Sequence, residues 1–116
     1  MAKGPIGPRG EEAAADVYRR RGYRVLARNW RCRLGELDLV AERRGVLVFC
    51  EVKSRRQSVF GGGFDAVTSR KQAKLRAVAE AFLQATGSHP QAIRFDVASV
   101  AVRGARSTIE LFEEAF

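Results

Sequence analysis

The run Val46-Leu47-Val48-Phe49-Cys50-Glu51-Val52-Lys53 constrains the fold more than any other segment of the chain. Side chains of an extended strand point alternately to its two faces. Val46, Val48, Cys50 and Val52 then line one face and Leu47 and Phe49 the other, so the strand needs cover on both sides as far as Glu51. Such a strand belongs in the middle of a sheet with helices above and below, the α/β arrangement. The rest of the chain supplies the parts. A helix is predicted over Glu11 to Arg21, with Ala14, Val17, Tyr18 and Arg21 on one side, Glu11 and Glu12 near its positive end, and Gly22 stopping it. Tyr23 to Trp30 has strand content, and Arg31 to Gly35 is a basic connection that can extend it. Leu37 to Ala41 and Val46 to Lys53 flank the polar turn Glu42 to Gly45, which suits a hairpin. A glycine-rich loop over Ser54 to Asp65 precedes a second helix over Thr68 to Ala85, ended by Gly87 and Pro90. Gln91 to Val102 and Ser107 to Phe112 complete the set around Arg103-Gly104. The expected architecture is α/β, a mixed central sheet flanked by helices.

A chain of 116 residues with 46% hydrophobic content suits one compact domain, expected over residues 10–116 behind a flexible glycine- and proline-containing segment at residues 1–9. The longest apolar run is Val46 to Cys50, too short to cross a bilayer, and no export signal is visible. No membrane association is expected, the location is expected to be cytoplasmic, and Cys32 and Cys50 are expected as reduced thiols. Charge is more telling. Lys and Arg number 21 against 13 acids, and 17 of those bases are Arg, which pairs with phosphate through two hydrogen bonds. The excess is concentrated in residues 1–35, with nine bases and three acids. A nucleic-acid partner follows as an expectation, with solvation of an ordinary basic surface as the alternative.

Against this background the acids stand out. Burying an unpaired charge costs several kcal/mol, yet Glu36, Asp38 and Glu51 lie in or at the edges of the two most apolar strands. In a hairpin with a two- or four-residue loop the paired residue numbers add to 89 or 87, and either register puts Asp38 on the face of Glu51, roughly 5 to 8 Å away at Cβ. Two carboxylates at that separation can hold one divalent cation, and Mg²⁺ accepts so sparse a set because water and phosphate oxygens complete its shell. Lys53, one strand repeat past Glu51, could orient or deprotonate an attacking water. A same-face ion pair between Glu51 and Lys53 is the plainer reading of the spacing.

The residues Gly10-Glu11, Gly22-Tyr23, Asn29-Trp30-Arg31, Gly35-Glu36-Leu37-Asp38-Leu39, Phe49, Glu51-Val52-Lys53-Ser54-Arg55, Phe60-Gly61, Lys71, Arg94-Phe95-Asp96-Val97 and Ala115-Phe116 together resemble the YraN-like family. That family is grouped with Holliday-junction resolvases in the PD-(D/E)xK, or restriction-endonuclease-like, superfamily. The resemblance implies an αβββαβ core, with Asp38, Glu51 and Lys53 in the acid, acid and lysine positions of the motif and Glu11 as an additional acid on the first helix. Leu37 stands where the motif name has proline. It also implies a Mg²⁺-dependent endonuclease, with Mn²⁺ as an alternative metal, acting on DNA rather than RNA and on branched DNA in particular. A homodimer would present two such sites to two strands.

Other residues carry weaker signals. Glu36 is either a supporting acid of the site or a partner of Arg31 or Arg33. Arg31, Arg33, Arg55, Arg56, Arg70 and Lys71 flank the motif and are candidates for phosphate contact. The glycine-rich loop lacks the Gly-Lys-Ser/Thr ending of a phosphate loop and reads instead as a gate to the site. Trp30 and Tyr23 are expected in the core, with stacking on bases as the alternative, and Asp96 is expected in a structural role, bonded to Arg94 or to an arginine of a neighbouring strand. Two non-catalytic readings stay open: a nucleic-acid-binding module on a nuclease scaffold, and a protein-interaction domain.

Overall fold

A computed structural model describes residues 6–56 and 67–116. Its elements run α1 (Ile6–Arg20), β1 (Arg24–Cys32), β2 (Gly35–Arg43), β3 (Val46–Arg56), α2 (Ser69–Thr86), β4 (Ala92–Arg103) and β5 (Arg106–Phe112). The strands form one sheet in the order β1-β2-β3-β4-β5. All neighbours are antiparallel except β3 and β4, which run parallel because α2 carries the chain back between them. This is the mixed α/β sheet expected, with β3 at its centre and a core in the order αβββαβ.

The two apolar faces of β3 separate the core into two layers. On one side Val48 and Cys50 pack with Ala14, Ala15 and Tyr18 of α1. On the other, Leu47 and Phe49 pack with Leu75, Val78, Ala79 and Phe82 of α2. Phe82 makes edge-on contacts with Trp30 at 5.3 Å and Phe49 at 5.9 Å, so Trp30, partly buried, packs against the core. Helix α2 has the ends its sequence announces. The Thr68 hydroxyl caps it by accepting from the Lys71 amide, and Gly87, in the left-handed region at φ 65°, closes it.

Three expectations shift. Helix α1 begins at Ile6, not Glu11, so residues 6–9 of the expected flexible segment are helical. Pro8 fits the first turn because amides there have no intrahelical partner. Residues 1–5 lie outside the described residues. The hairpin turn is the two-residue Arg44-Gly45, with Arg43 opposite Val46, because both residues adopt positive φ, 53° and 82°. Ser54 to Arg56 continue β3, and the rest of the expected glycine-rich loop lies outside the described residues. Cys32 and Cys50 are free thiols. Among the described residues no helix is long and apolar enough to cross a membrane.

Candidate functional site

Asp38 and Glu51 come together at the level where β2 and β3 part. The paired ladder between these strands runs from Arg43↔Val46 to Leu39↔Cys50. Its register is the one in which residue numbers add to 89, and one further step sets Asp38 opposite Glu51. Regular alternation stops there. Leu39 joins the layer under α1, whereas Leu37 joins the layer under α2. On β1 the same break occurs at Asn29, which faces Asp38 across the β1–β2 ladder and has φ 53°. Arg28 and Asn29 both turn to α1, bonding Glu12 at 2.7 Å and Glu11 at 3.0 Å, and Trp30 turns to α2. Asn tolerates this left-handed backbone better than most residues. At this break the Asp38 carboxylate reaches β3 and accepts the Val52 amide hydrogen at 2.9 Å.

A cavity of about 250 Å³ opens here, lined by Glu36, Asp38, Glu51, Lys71, Lys74, Leu75 and Val78. The two motif acids therefore share one space, with β2 and β3 on one side and α2 on the other. Glu51 is sheltered, its side chain 11% exposed, and the Lys71 ammonium lies 3.0 Å from its Oε2. Glu36 Oε2 is shielded from solvent and receives no hydrogen bond, with Arg31 Nε 3.4 Å away as an ion-pair neighbour. Glu36 is thus both a cavity residue and the partner of Arg31. Val52 packs towards α1, and Ser54 meets Gly10 of α1, so Lys53 between them belongs to the α2 face with Glu51. It is half-buried and lies beyond the residues that line the cavity.

Glu11 accepts from Asn29 Nδ2 at 3.0 Å. It is buried, 3% exposed, in the second turn of α1, and does not line the cavity. The extra turn at the start of α1 also removes it from the helix terminus. Of the flanking bases, Arg31, Arg33, Arg56, Arg70 and Lys71 are exposed and Arg55 is half-buried. Much of the positive charge of the N-terminal third is already matched: Arg19 pairs with Glu12 and Asp16, Arg21 with Glu113, Arg24 with Glu42, Arg28 with Glu12. The Arg28 hydrogen bond holds the Glu12 carboxyl below its usual range. Lys74, which sequence reasoning passed over, sits one turn beyond Lys71 on the cavity wall. The i, i+3 spacing of the two lysines was the signal for it.

On the α1 side, Asp96 has no exposed surface. It accepts from the Tyr18 hydroxyl at 2.6 Å, from Arg94 Nε and Nη2 at 2.9 Å each, and from the Glu114 amide at 3.1 Å. Burial pushes the Tyr18 hydroxyl far up and so keeps it a donor, while the Asp96 hydrogen bond raises Arg94. This buried and fully bonded group explains Asp96 as part of the framework.

Asp38 and Glu51 supply hard oxygen donors to one cavity, which is chemistry suited to Mg²⁺ or Mn²⁺. Among the described residues no group of three or more His, Cys, Asp or Glu is placed to hold a metal ion.

The profile of a family described as uncharacterised protein family UPF0102 matches residues 10–100. A UPF0102 protein of Symbiobacterium thermophilum is 48% identical over 95 residues, 82% of this chain and 80% of that protein. Another, of Syntrophomonas wolfei, is 43% identical over 111 residues, 96% of each chain. A third, of Caldicellulosiruptor saccharolyticus, is 41% identical over 118 residues, spanning 100% of each.

Proposed function

This chain belongs to the UPF0102 family, and we propose that it is a metal-dependent phosphodiesterase that cuts nucleic acid internally, DNA in preference to RNA and branched DNA foremost. The observation that carries this reading is the placement of Asp38 and Glu51, from adjacent strands, in one cavity beside a lysine. Hydrolysis of a phosphodiester needs a deprotonated water, an offset for the charge that builds on the phosphoryl oxygens, and a fixed alignment of the two. Asp38 and Glu51 would hold Mg²⁺, or Mn²⁺ in its place, which when bound lowers the pKa of water and polarises the phosphodiester. Asp38 is fixed for this by the Val52 amide, and Glu51 by Lys71. Lys53, on the same face of β3, orients the attacking water. Water adds to phosphorus, the bond to the departing sugar oxygen breaks, and the proton lost by the water ends on that oxygen. Exposed Arg33, Arg56 and Arg70 remain for contact with neighbouring phosphates.

The test is direct. Purified protein with Mg²⁺ or Mn²⁺ should cut a four-way junction or flap faster than duplex or single-stranded DNA, and RNA least. Asp38→Asn and Glu51→Gln should remain folded and stop cutting. If no substrate is cut, or if both variants cut at the wild-type rate, the reading is wrong.

A further inference from the structure

We infer that the cationic half of this site comes from the first turns of α2, where Lys71 positions Glu51 and Lys74 binds a non-bridging phosphate oxygen of the nucleic-acid backbone. The inference rests on the phosphodiester reading above and assigns the groups that grip the substrate at the point of cutting.

The first indication is a local conflict in α2. A helix N-terminus carries partial positive charge and favours acids, yet the first turn of α2 has none and carries Arg70 and Lys71. Residues that oppose a local preference mark places where another demand outweighs it. For Lys71 that demand is visible. Its backbone is tied to the cap by the Thr68 hydroxyl at 3.2 Å, while its ammonium sits 3.0 Å from Glu51. Two carboxylates sharing a cavity repel each other. An ammonium on one of them offsets that repulsion and keeps Glu51 turned into the cavity.

Lys74 is the second indication. Its stem is packed so closely on Gly35 that a Cβ there would lie 3.1 Å from Lys74 Cε and 3.1 Å from Val78 Cγ2. Gly35 also has φ 153°, which a residue with a side chain rarely adopts. Among the described residues no acid forms an ion pair with Lys74, although Glu36, Asp38 and Glu51 line the same cavity. A cation held at the rim of an acidic cavity and unmatched by an acid among the described residues is placed for an incoming anion. In a phosphodiester that anion is a phosphate oxygen, and a lysine serves it as a point charge.

The experiment compares wild type with K71Q, K74Q and R44Q, each checked by thermal melting. Arg44 lies in the β2–β3 turn at the other end of the hairpin and controls for the loss of one positive charge. Binding of a labelled four-way junction DNA is followed by anisotropy in EDTA at several salt concentrations, Mn²⁺ binding without DNA by electron paramagnetic resonance, and cutting separately. K74Q should lower the slope of log affinity against log salt by about one and leave Mn²⁺ affinity unchanged, whereas R44Q keeps the wild-type slope. K71Q should bind Mn²⁺ more tightly, since ammonium and metal compete for one carboxylate, yet cut at least about tenfold more slowly. A merely structural pair would lower the melting temperature and leave both readouts unmoved. K74Q with the wild-type slope, or K71Q with wild-type Mn²⁺ affinity and cutting, overturns the inference while leaving the nuclease reading intact. If wild type cuts nothing but the slope and the Mn²⁺ affinity respond as stated, the cationic half stands and the nuclease reading falls.

Discussion

The carboxylate of Asp38 holds the amide of Val52, at 2.9 Å, on the neighbouring strand. Backbone pairing of β2 with β3 ends at Leu39 and Cys50, so past that point a side chain supplies a link that the ladder no longer makes. Structure and proposed chemistry meet in one residue, and two substitutions separate them. Asp38→Asn keeps an oxygen for the Val52 amide and should stay within about 1 kcal/mol of wild type, while cutting falls by about 100-fold or more. Asp38→Ala loses the acceptor as well and should cost about 1–3 kcal/mol in urea unfolding. Equal stability of the two variants would show that the link to Val52 carries no weight.

The Asp96 group predicts the opposite pattern, a loss of stability without a loss of cutting. Tyr18→Phe leaves a buried carboxylate oxygen one donor short and should cost about 1–3 kcal/mol. Asp96→Ala leaves Arg94, whose side chain is 17% exposed, with only the longer ion pair to Glu113 at 3.6 Å, and should cost about 3–5 kcal/mol. Below the melting transition both proteins should cut at the wild-type rate; a variant that is folded but inactive would place Asp96 in the chemistry after all.

Gly10 allows α1 to press on the end of β3. A Cβ there would sit 1.8 Å from Ser54 Oγ and 2.9 Å from Ser54 Cβ, so the Ser54 hydroxyl would have to turn away and the helix or strand shift. Gly10→Ala should therefore lower stability by about 1–3 kcal/mol. Adding Ser54→Gly opens the space and should recover most of the loss. Additive effects in calorimetry, with no recovery, would contradict the contact.

Acid pH should act through Glu42. The amide of Gly45 and the guanidinium of Arg24 favour its ionised form and hold its carboxyl below the usual 4.5. Because the folded value is the lower one, its contribution is complete above pH 4.5 and fades as pH falls through the folded value. Glu42→Gln lacks this contribution. Its unfolding midpoint should fall less steeply than wild type below about pH 5, and parallel curves for the two proteins would rule out the contribution.

Several features could be read from residue order because local chemistry dictates them. The doubly apolar run placed β3 at the centre, Thr68 and Gly87 delimit α2, and hairpin parity brought Asp38 to the side of Glu51. What escaped has physical causes. Parity assumes an unbroken pleat, but Asn29 and Asp38 both step out of it, and the amide that holds Asp38 belongs to Val52, whose side chain gives no hint of it. Counting charges cannot reveal pairing, so the excess in the N-terminal third said nothing of Arg19, Arg21, Arg24 and Arg28 each meeting an acid. Glu11 lies in the second turn of α1 rather than at its end, because α1 starts earlier than its apolar pattern suggests.

The parallel pairing of β3 with β4 also sets an order of assembly. β2 and β3 are joined by two residues and close over a short span, whereas Val46 meets Ala92 only after the intervening chain has returned through α2. Contacts distant in sequence cost more loop entropy and form later. On this entropic ground the hairpin that brings Asp38 towards Glu51 is expected to close before Lys71 can reach Glu51. The crossover helix would then deliver the ammonium to a pair of carboxylates already assembled.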